Sequence, residues 1–312
     1  MIVTITANPS VDVSMPLNSF MLDQVNRIEK ADKTAGGKGL NVTRVLHQLD
    51  KEVLATGFVG GDFGRFIQND LAKQMINFNF IPIQESTRIS IALLHEGKQT
   101  EVLEKGPTIN DSEQQQFLVL MNELAKTTRL FTISGSLAAG LPQNFYALLL
   151  PILQKHGAKV ILDSSGDSLK QAISGSAKPY LIKPNEQEIK ELLGDNFTVD
   201  SVASFKSAVE QPLFSEIPWI VLSRGSQGAY AKVADSFYSV TIPTVEAINP
   251  VGSGDATIAG FASAIEEDNS IEDILKTGMT CGILNALEES TGSINIQQFE
   301  QIFSQIIVEK IY

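Results

Sequence analysis

The sequence predicts an α/β fold: a largely parallel sheet with helices on both faces. Three observations carry this. Short β-type runs alternate with amphipathic helical runs along most of the chain. Several of the β-type runs are almost continuously apolar, as strands covered on both faces must be. The elements follow one another as repeated β-α-β, the order that produces parallel neighbours.

The candidate strands are residues 2–6, 53–59, 130–134, 159–163, 180–183 and 219–223. Helical spacing runs through residues 40–49, 63–75, 111–126, 143–156 and 201–210, with Asn110 and Glu113 forming an N-cap signal for the third. Two stretches break the pattern. Residues 13–34 show no helical period, and 88–103 reads as strands Ile89–His95 and Thr100–Leu103 joined by Glu96-Gly97-Lys98. Either both join one small sheet outside the main layer and act as a lid, or they are unrelated surface excursions. With no repeat, low-complexity tract or linker, the 312 residues read as one domain with lid segments at about 13–34 and 88–104.

The composition, 43% hydrophobic and 19% charged, is that of a packed globular chain. The formal net charge of −12 argues against nucleic acid or an anionic membrane as partner. That charge is uneven: residues 264–312 hold nine acids and two bases, whereas residues 20–51 hold six bases and four acids. One cysteine, Cys281, permits neither an intrachain disulfide nor a Cys-based zinc site, and reads as a small core residue. The N-terminus lacks a basic signal-peptide region and no run approaches ~18 apolar residues, so the expectation is a cytoplasmic protein. His47, His95 and His156 have no metal-binding spacing and read as packing or surface residues; Trp219 opens an apolar strand and reads as core.

Two glycine-rich loops carry the chemistry. Asn249-Pro250-Val251-Gly252-Ser253-Gly254-Asp255 leads into a helical run at 256–267. Successive N–H groups at a helix start hold an anion, and glycines let a phosphate approach. Asp255 either caps this helix or accepts the proton of a hydroxyl that attacks the phosphate. The second loop, Ala35-Gly36-Gly37-Lys38-Gly39-Leu40-Asn41, combines backbone freedom with a cation and an amide, a set suited to a sugar phosphate. Neither loop has the spacing of a P-loop or a dinucleotide-binding fingerprint.

Together these loops resemble the signatures of the ribokinase superfamily of carbohydrate kinases, in its phosphofructokinase-B branch. Further motifs fill the interval: Asn8-Pro9-Ser10-Val11-Asp12, Ser134-Gly135-Ser136-Leu137, Asp163-Ser164-Ser165-Gly166, Lys183-Pro184-Asn185-Glu186-Gln187-Glu188 and Ser223-Arg224-Gly225-Ser226-Gln227-Gly228. The resemblance implies a ribokinase-like three-layer α/β/α fold with a β-sheet lid. It implies transfer of the γ-phosphoryl of ATP to the C1 hydroxyl of D-tagatose 6-phosphate in lactose and galactose breakdown. The alternatives are a kinase of fructose 1-phosphate or of several ketohexose phosphates and, from another class, a non-catalytic sugar-phosphate-binding regulator.

The same resemblance assigns roles. Asp255 is the base, and the N–H groups of Gly252, Ser253 and Gly254 stabilise the transferred group. Asp12, Gly37 and Asn41 meet sugar hydroxyls; Lys38, Arg88 and Ser136 meet the 6-phosphate, with Arg27 either reaching a neighbouring subunit's site or solvated. Lys183, Asn185, Ser223, Gly225, Gly228, Gly252, Gly254 and Asn285 contact the nucleotide, with adenine against the helix of Gly282 and Asn285. Asn185 and Glu188 position Mg²⁺ largely through water, and a monovalent cation is compatible with the family. Arg224 stands where leucine is common and lies over the adenine or points to water. The lid implies a homodimer, each lid covering the other's edge.

Overall fold

Consecutive residues of the first strand point into opposite layers. All of β1 (Ile2–Thr6) is buried; Ile2 packs into one core, Val3 and Ile5 into the other. The same alternation holds at Leu130 and Phe131, and at Ile161 and Leu162, which explains the nearly unbroken apolar runs. The computed structural model describes residues 1–194 and 197–311.

After β1 come β2 (Ser10–Leu17), β3 (Asp32–Gly36), α1 (Lys38–Gln48), β4 (Val53–Val59), α2 (Gly61–Lys73), β5 (Asn77–Phe78) and β6 (Ile81–Pro82). The chain continues through β7 (Arg88–His95), β8 (Lys98–Leu103), α3 (Asp111–Ala125), β9 (Leu130–Ser134), α4 (Phe145–Gln154), β10 (Lys159–Asp163) and α5 (Gly166–Ser174). Then follow β11 (Leu181–Ile182), α6 (Glu186–Leu193), α7 (Val202–Val209), β12 (Trp219–Ser223), β13 (Ala229–Val233) and β14 (Ser236–Thr241). Last are α8 (Ser253–Glu266), α9 (Ile271–Ala286), α10 (Phe299–Phe303) and β15 (Ile307–Lys310).

The main sheet has the order β15-β14-β13-β12-β11-β10-β9-β1-β4-β5, with β6 also on β4. From β12 to β5 it is parallel; β13, β14 and β15 extend it antiparallel. One face packs on α1, α8 and α9 through residues such as Leu40, Phe261 and Leu284. The other packs on α3, α4 and α7 through Phe117, Phe145 and Phe205. This is a mixed α/β fold with helices on both sides of a mostly parallel sheet. Helices α8 and α9 lie so close that a Cβ on Gly260 would sit 2.6 Å from the Thr277 carbonyl oxygen. Cys281 is fully buried between them, and Trp219 is also core.

A second sheet of four strands, β3-β2-β7-β8, stands apart from the first. β2 pairs antiparallel with β3 and parallel with β7, so segments far apart in sequence meet. The hairpin turn is Glu96-Gly97, both with positive φ (51° and 71°), so Lys98 belongs to β8 and not to the turn. Other boundaries also differ from the sequence reading. The expected strand at 180–183 shortens to Leu181–Ile182, because Pro184 follows and has no N–H to continue the ladder. Helix α8 begins at Ser253, three residues before the expected Ala256. Asn110 and Glu113 form the expected reciprocal cap of α3.

Candidate active site

The chain leaves β1 for β4 on one side, while β9 and β10 continue the sheet on the other. Such a reversal opens a crevice at the carboxyl ends of the strands. Several loops converge there. Asp12 comes from β2, and Lys38 and Asn41 from the start of α1. Asp163 ends β10, Lys183 follows β11, and Asp255 lies in the first turn of α8.

Charge sets the crevice floor. Asp163 is 3% exposed, and its two oxygens each lie 3.5 Å from an ammonium, Oδ1 from Lys183 and Oδ2 from Lys38. Burial alone would raise the Asp163 carboxyl; Lys183 and Lys38 hold it below the usual carboxylate range. Lys38 in turn is raised by Asp163, so it stays charged with its head at the opening. Asp255 is 5% exposed and is pushed up to about 6, first by burial and then by the negative charge of Asp163. Lys38, the Asn41 hydrogen bond and Lys183 oppose that rise. Asn41 Nδ2 donates to Asp255 Oδ2 at 2.7 Å.

Asp255 does not cap α8. The N-cap is Gly252, at φ +85°, a left-handed conformation that side chains other than glycine's adopt at a cost. Among the described residues the N–H groups of Gly252, Gly254 and Asp255 have no partner, while that of Ser253 donates to the Pro250 carbonyl. The open donors are therefore those of Gly252, Gly254 and Asp255, a set shifted from the expected Gly252, Ser253 and Gly254. Lys183 Nζ lies 3.2 Å from where a Cβ on Gly254 would be, so a full positive charge stands beside this helix start. Asn285, expected against adenine, is completely buried. Its Nδ2 donates to the Val251 carbonyl and its Oδ1 accepts from Gly292 N, each at 2.9 Å. Gly282 is buried against Thr257. Both hold the loop from behind and present nothing to a nucleotide.

On the opposite wall, Asp12 accepts from Ser10 Oγ at 2.6 Å, and burial raises its carboxyl. A Cβ on Gly36 would overlap that carboxylate, so glycine is required for Asp12 to occupy this place. Gly37 (φ +100°) then turns the chain into α1. Arg88 donates to the carbonyls of Asn8 (3.2 Å) and Glu104 (3.0 Å), which fixes it beside Asp12. Ser136 is exposed on the loop after β9, and Gly135 of that loop abuts the Lys38 side chain. Arg27 lies apart, exposed in the connection between β2 and β3.

On the far side of Lys183, Asn185 and Glu188 form the reciprocal cap of α6, each side chain accepting the other's N–H at 2.9 Å. Ser223 N donates to the Pro184 carbonyl, and Gly225 and Gly228 (φ +55° and +83°) turn the chain back after β12. An open pocket of about 430 Å³ lies between this turn and the start of α6, lined by Asn185–Gln187 and Ser223–Gln227. Arg224 lines it, its guanidinium 4.4 Å from the Tyr230 ring centroid and its Nε 3.5 Å from Glu186, so it does not point free into water. Among the described residues no three metal-ligating side chains cluster. Glu188 keeps one oxygen free of hydrogen bonds there, a donor set that fits a hydrated Mg²⁺ carried by phosphates and not a protein-enclosed ion.

Two residues that the fold brings to the site, Asp163 and Arg44, have no role assigned by the sequence motifs. The signal for Asp163 was present: a carboxylate ending an otherwise apolar strand of a parallel sheet. Asp163→Asn leaves Lys183 buried without its counter-charge and is expected to lower stability at pH 7 by about 3 kcal/mol in urea unfolding. Unchanged stability would contradict the pairing.

Comparison with known proteins agrees with this geometry. The family model described as pfkB family carbohydrate kinase matches residues 5–298. Curated proteins named tagatose-6-phosphate kinase, from two strains of Staphylococcus epidermidis, are 47% and 46% identical over 311 residues, covering 100% of this chain and of theirs. Crystal structures of phosphofructokinase-2 from Escherichia coli superpose closely. The one in complex with potassium has a TM-score of 0.90 at 25% identity, covering 97% of this chain and 98% of the other. The one in complex with substrates and products has a TM-score of 0.89 at the same identity and coverage. A match that spans nearly the whole chain, on a fold whose crevice gathers Asp255, its anion loop and two lysines, means that the chain belongs to the pfkB family of carbohydrate kinases.

Proposed function

We propose that the protein transfers the γ-phosphoryl of ATP to the C1 hydroxyl of D-tagatose 6-phosphate, giving D-tagatose 1,6-bisphosphate and ADP. The single observation that carries the reaction type is Asp255: a buried carboxylate, oriented by Asn41, within the helix turn whose N–H groups stand open. A protein that only bound sugar phosphate would gain nothing from a carboxylate there. The choice of sugar rests on the names of the full-length Staphylococcus epidermidis relatives.

Asp255 accepts the proton of the attacking hydroxyl. The N–H groups of Gly252, Gly254 and Asp255, together with Lys183, stabilise charge spreading onto the transferred group. Asp12, Gly37 and Asn41 bind the sugar hydroxyls, and Lys38, Arg88 and Ser136 its 6-phosphate. The planar guanidinium of Arg88 suits a phosphate once the ligand competes for its carbonyl contacts. The nucleotide lies along Lys183 and Asn185 and over the turn of Ser223, Gly225 and Gly228. Mg²⁺, held by Glu188 and Asn185 through water, would neutralise the donor phosphates. The small sheet closes over the sugar and keeps water from accepting the phosphoryl group. Its fully exposed strand β8 is a free edge, and a second copy covering that sheet makes the working form a homodimer, with Arg27 near the partner's site. We place the enzyme in the cytoplasm, where ATP and sugar phosphates occur; no helix among the described residues is long and apolar enough to cross a membrane.

Three outcomes follow. A base must be unprotonated to act, and Asp255 is pushed up to about 6. Hence kcat/KM should be flat near pH 7–8 and fall about tenfold per unit well below pH 6, while Asp255→Asn loses roughly 10²–10⁴-fold at every pH and still binds sugar phosphate by calorimetry. A near-normal rate in Asp255→Asn would remove the assigned base. Measured side by side, kcat/KM should be highest for tagatose 6-phosphate, ahead of fructose 6-phosphate and fructose 1-phosphate; a preference for fructose 1-phosphate would replace the proposed acceptor. Light scattering after size exclusion should read two chains per particle, and a monomer at micromolar concentration would contradict the lid-to-lid dimer.

A further inference from the structure

Arg44 is a fully charged side chain sealed into the interior, 6% exposed, on the face of α1 that also carries Asn41 and Gln48. Its three contacts all lead to the site. One guanidinium nitrogen, Nη2, donates to Asn41 Oδ1 at 2.6 Å and to the Thr291 carbonyl at 3.1 Å; the other, Nη1, donates to the carbonyl of Ala35 in the glycine loop that opens α1. Asn41 is an amide whose two ends are chemically different, and only its NH₂ end can donate to a carboxylate. With Oδ1 held by Arg44, the NH₂ end must face Asp255, where it donates at 2.7 Å. Thr291 meanwhile packs against Gly252, its Cβ 3.2 Å from where a Cβ on that glycine would lie. Gln48, one turn along, is bonded to the same loop at Gly292 and Ile294.

We propose that Arg44 is the positioning residue of the catalytic base: by locking the Asn41 amide it fixes the Asp255 carboxylate, and through Thr291 it ties that carboxylate to the turn that cradles the phosphoryl group. Burying a guanidinium is costly unless its donors are satisfied. Here the burial yields an amide that cannot flip to present its oxygen to a carboxylate. The groups that bear on Asp255 are Asp163 from β10, Lys38 and Arg44 from α1, and Lys183 after β11; Asp12 from β2 and Asp70 from α2 face Arg44, and Glu188 from α6 faces Lys38. None of these besides Arg44 contacts the Asn41 amide oxygen among the described residues.

The inference rests on Asp255 being the base, and the experiment separates the two. Arg44→Lys keeps the charge but cannot hold Asn41 Oδ1, Thr291 and Ala35 together. In a variant that keeps the parent's circular dichroism spectrum, kcat should fall at least tenfold. The acid limb of kcat/KM should move to higher pH, because an Asn41 oxygen turned to Asp255 favours its protonated form. Introduced into an Asn41→Ala background, the same change should not move the limb further. A limb that stays in place in Arg44→Lys, or that moves equally with and without the Asn41 side chain, would overturn the proposal. Should Asp255→Asn stay active, the base assignment itself fails; should it be inactive while Arg44→Lys behaves as the parent, only the role of Arg44 fails.

Discussion

Two ammonium groups share one buried carboxylate at the floor of the crevice, and the rest of the site is arranged around that fact. Asp163 ends a central strand where water is nearly absent, so its charge persists only because Lys183 and Lys38 face its two oxygens. Lys183 is thereby held against the start of α8, and Lys38 is held at the opening with its head available to a ligand. The same negative charge raises Asp255 toward neutrality. One interaction thus places two cations at the crevice and helps tune Asp255, the proposed base, to a pH where a carboxylate can both accept and release a proton.

The helix start completes the arrangement. A chain with a formal net charge of −12 gathers anionic ligands only where its local field reverses sign. That reversal is built from Lys38, Lys183 and the open N–H groups of the first turn of α8. Glycines at 36 and 252 are demanded by geometry: the first leaves room for Asp12, and the second takes the left-handed turn into the helix. On the proposed function the second sheet, β3-β2-β7-β8, serves the same chemistry, since a phosphoryl group exposed to water hydrolyses.

Much of this was legible in the sequence, because its signals are local. Continuous apolar runs marked the buried parallel strands, Asn110 and Glu113 marked a helix start, and the two glycine loops marked the site walls. The rest depends on contacts between distant segments. That β2 pairs in parallel with β7 could not be read from either strand, since pairing register is set by the assembled sheet. Asn285 has the residue type of a ligand contact, yet tertiary packing turns it inward to hold Val251 and Gly292. Asn185 and Glu188 read as metal-positioning residues, and locally they are also a helix cap; spacing alone does not separate the two uses. Arg44 sits in a helical run where an arginine ordinarily reaches solvent, and only the fold shows it enclosed.

Burial beside Asp163 leaves Asp255 half-ionised well above the ordinary range for an aspartate. The most direct measurement follows the carboxyl carbon of Asp255 by NMR in the free enzyme, with Asp255→Asn used to assign the signal. The signal should titrate with a midpoint near pH 6, in place of the ordinary 3.8. A titration at the ordinary value would show that neither burial nor Asp163 governs this carboxyl, and that Asp255 is not tuned as a base.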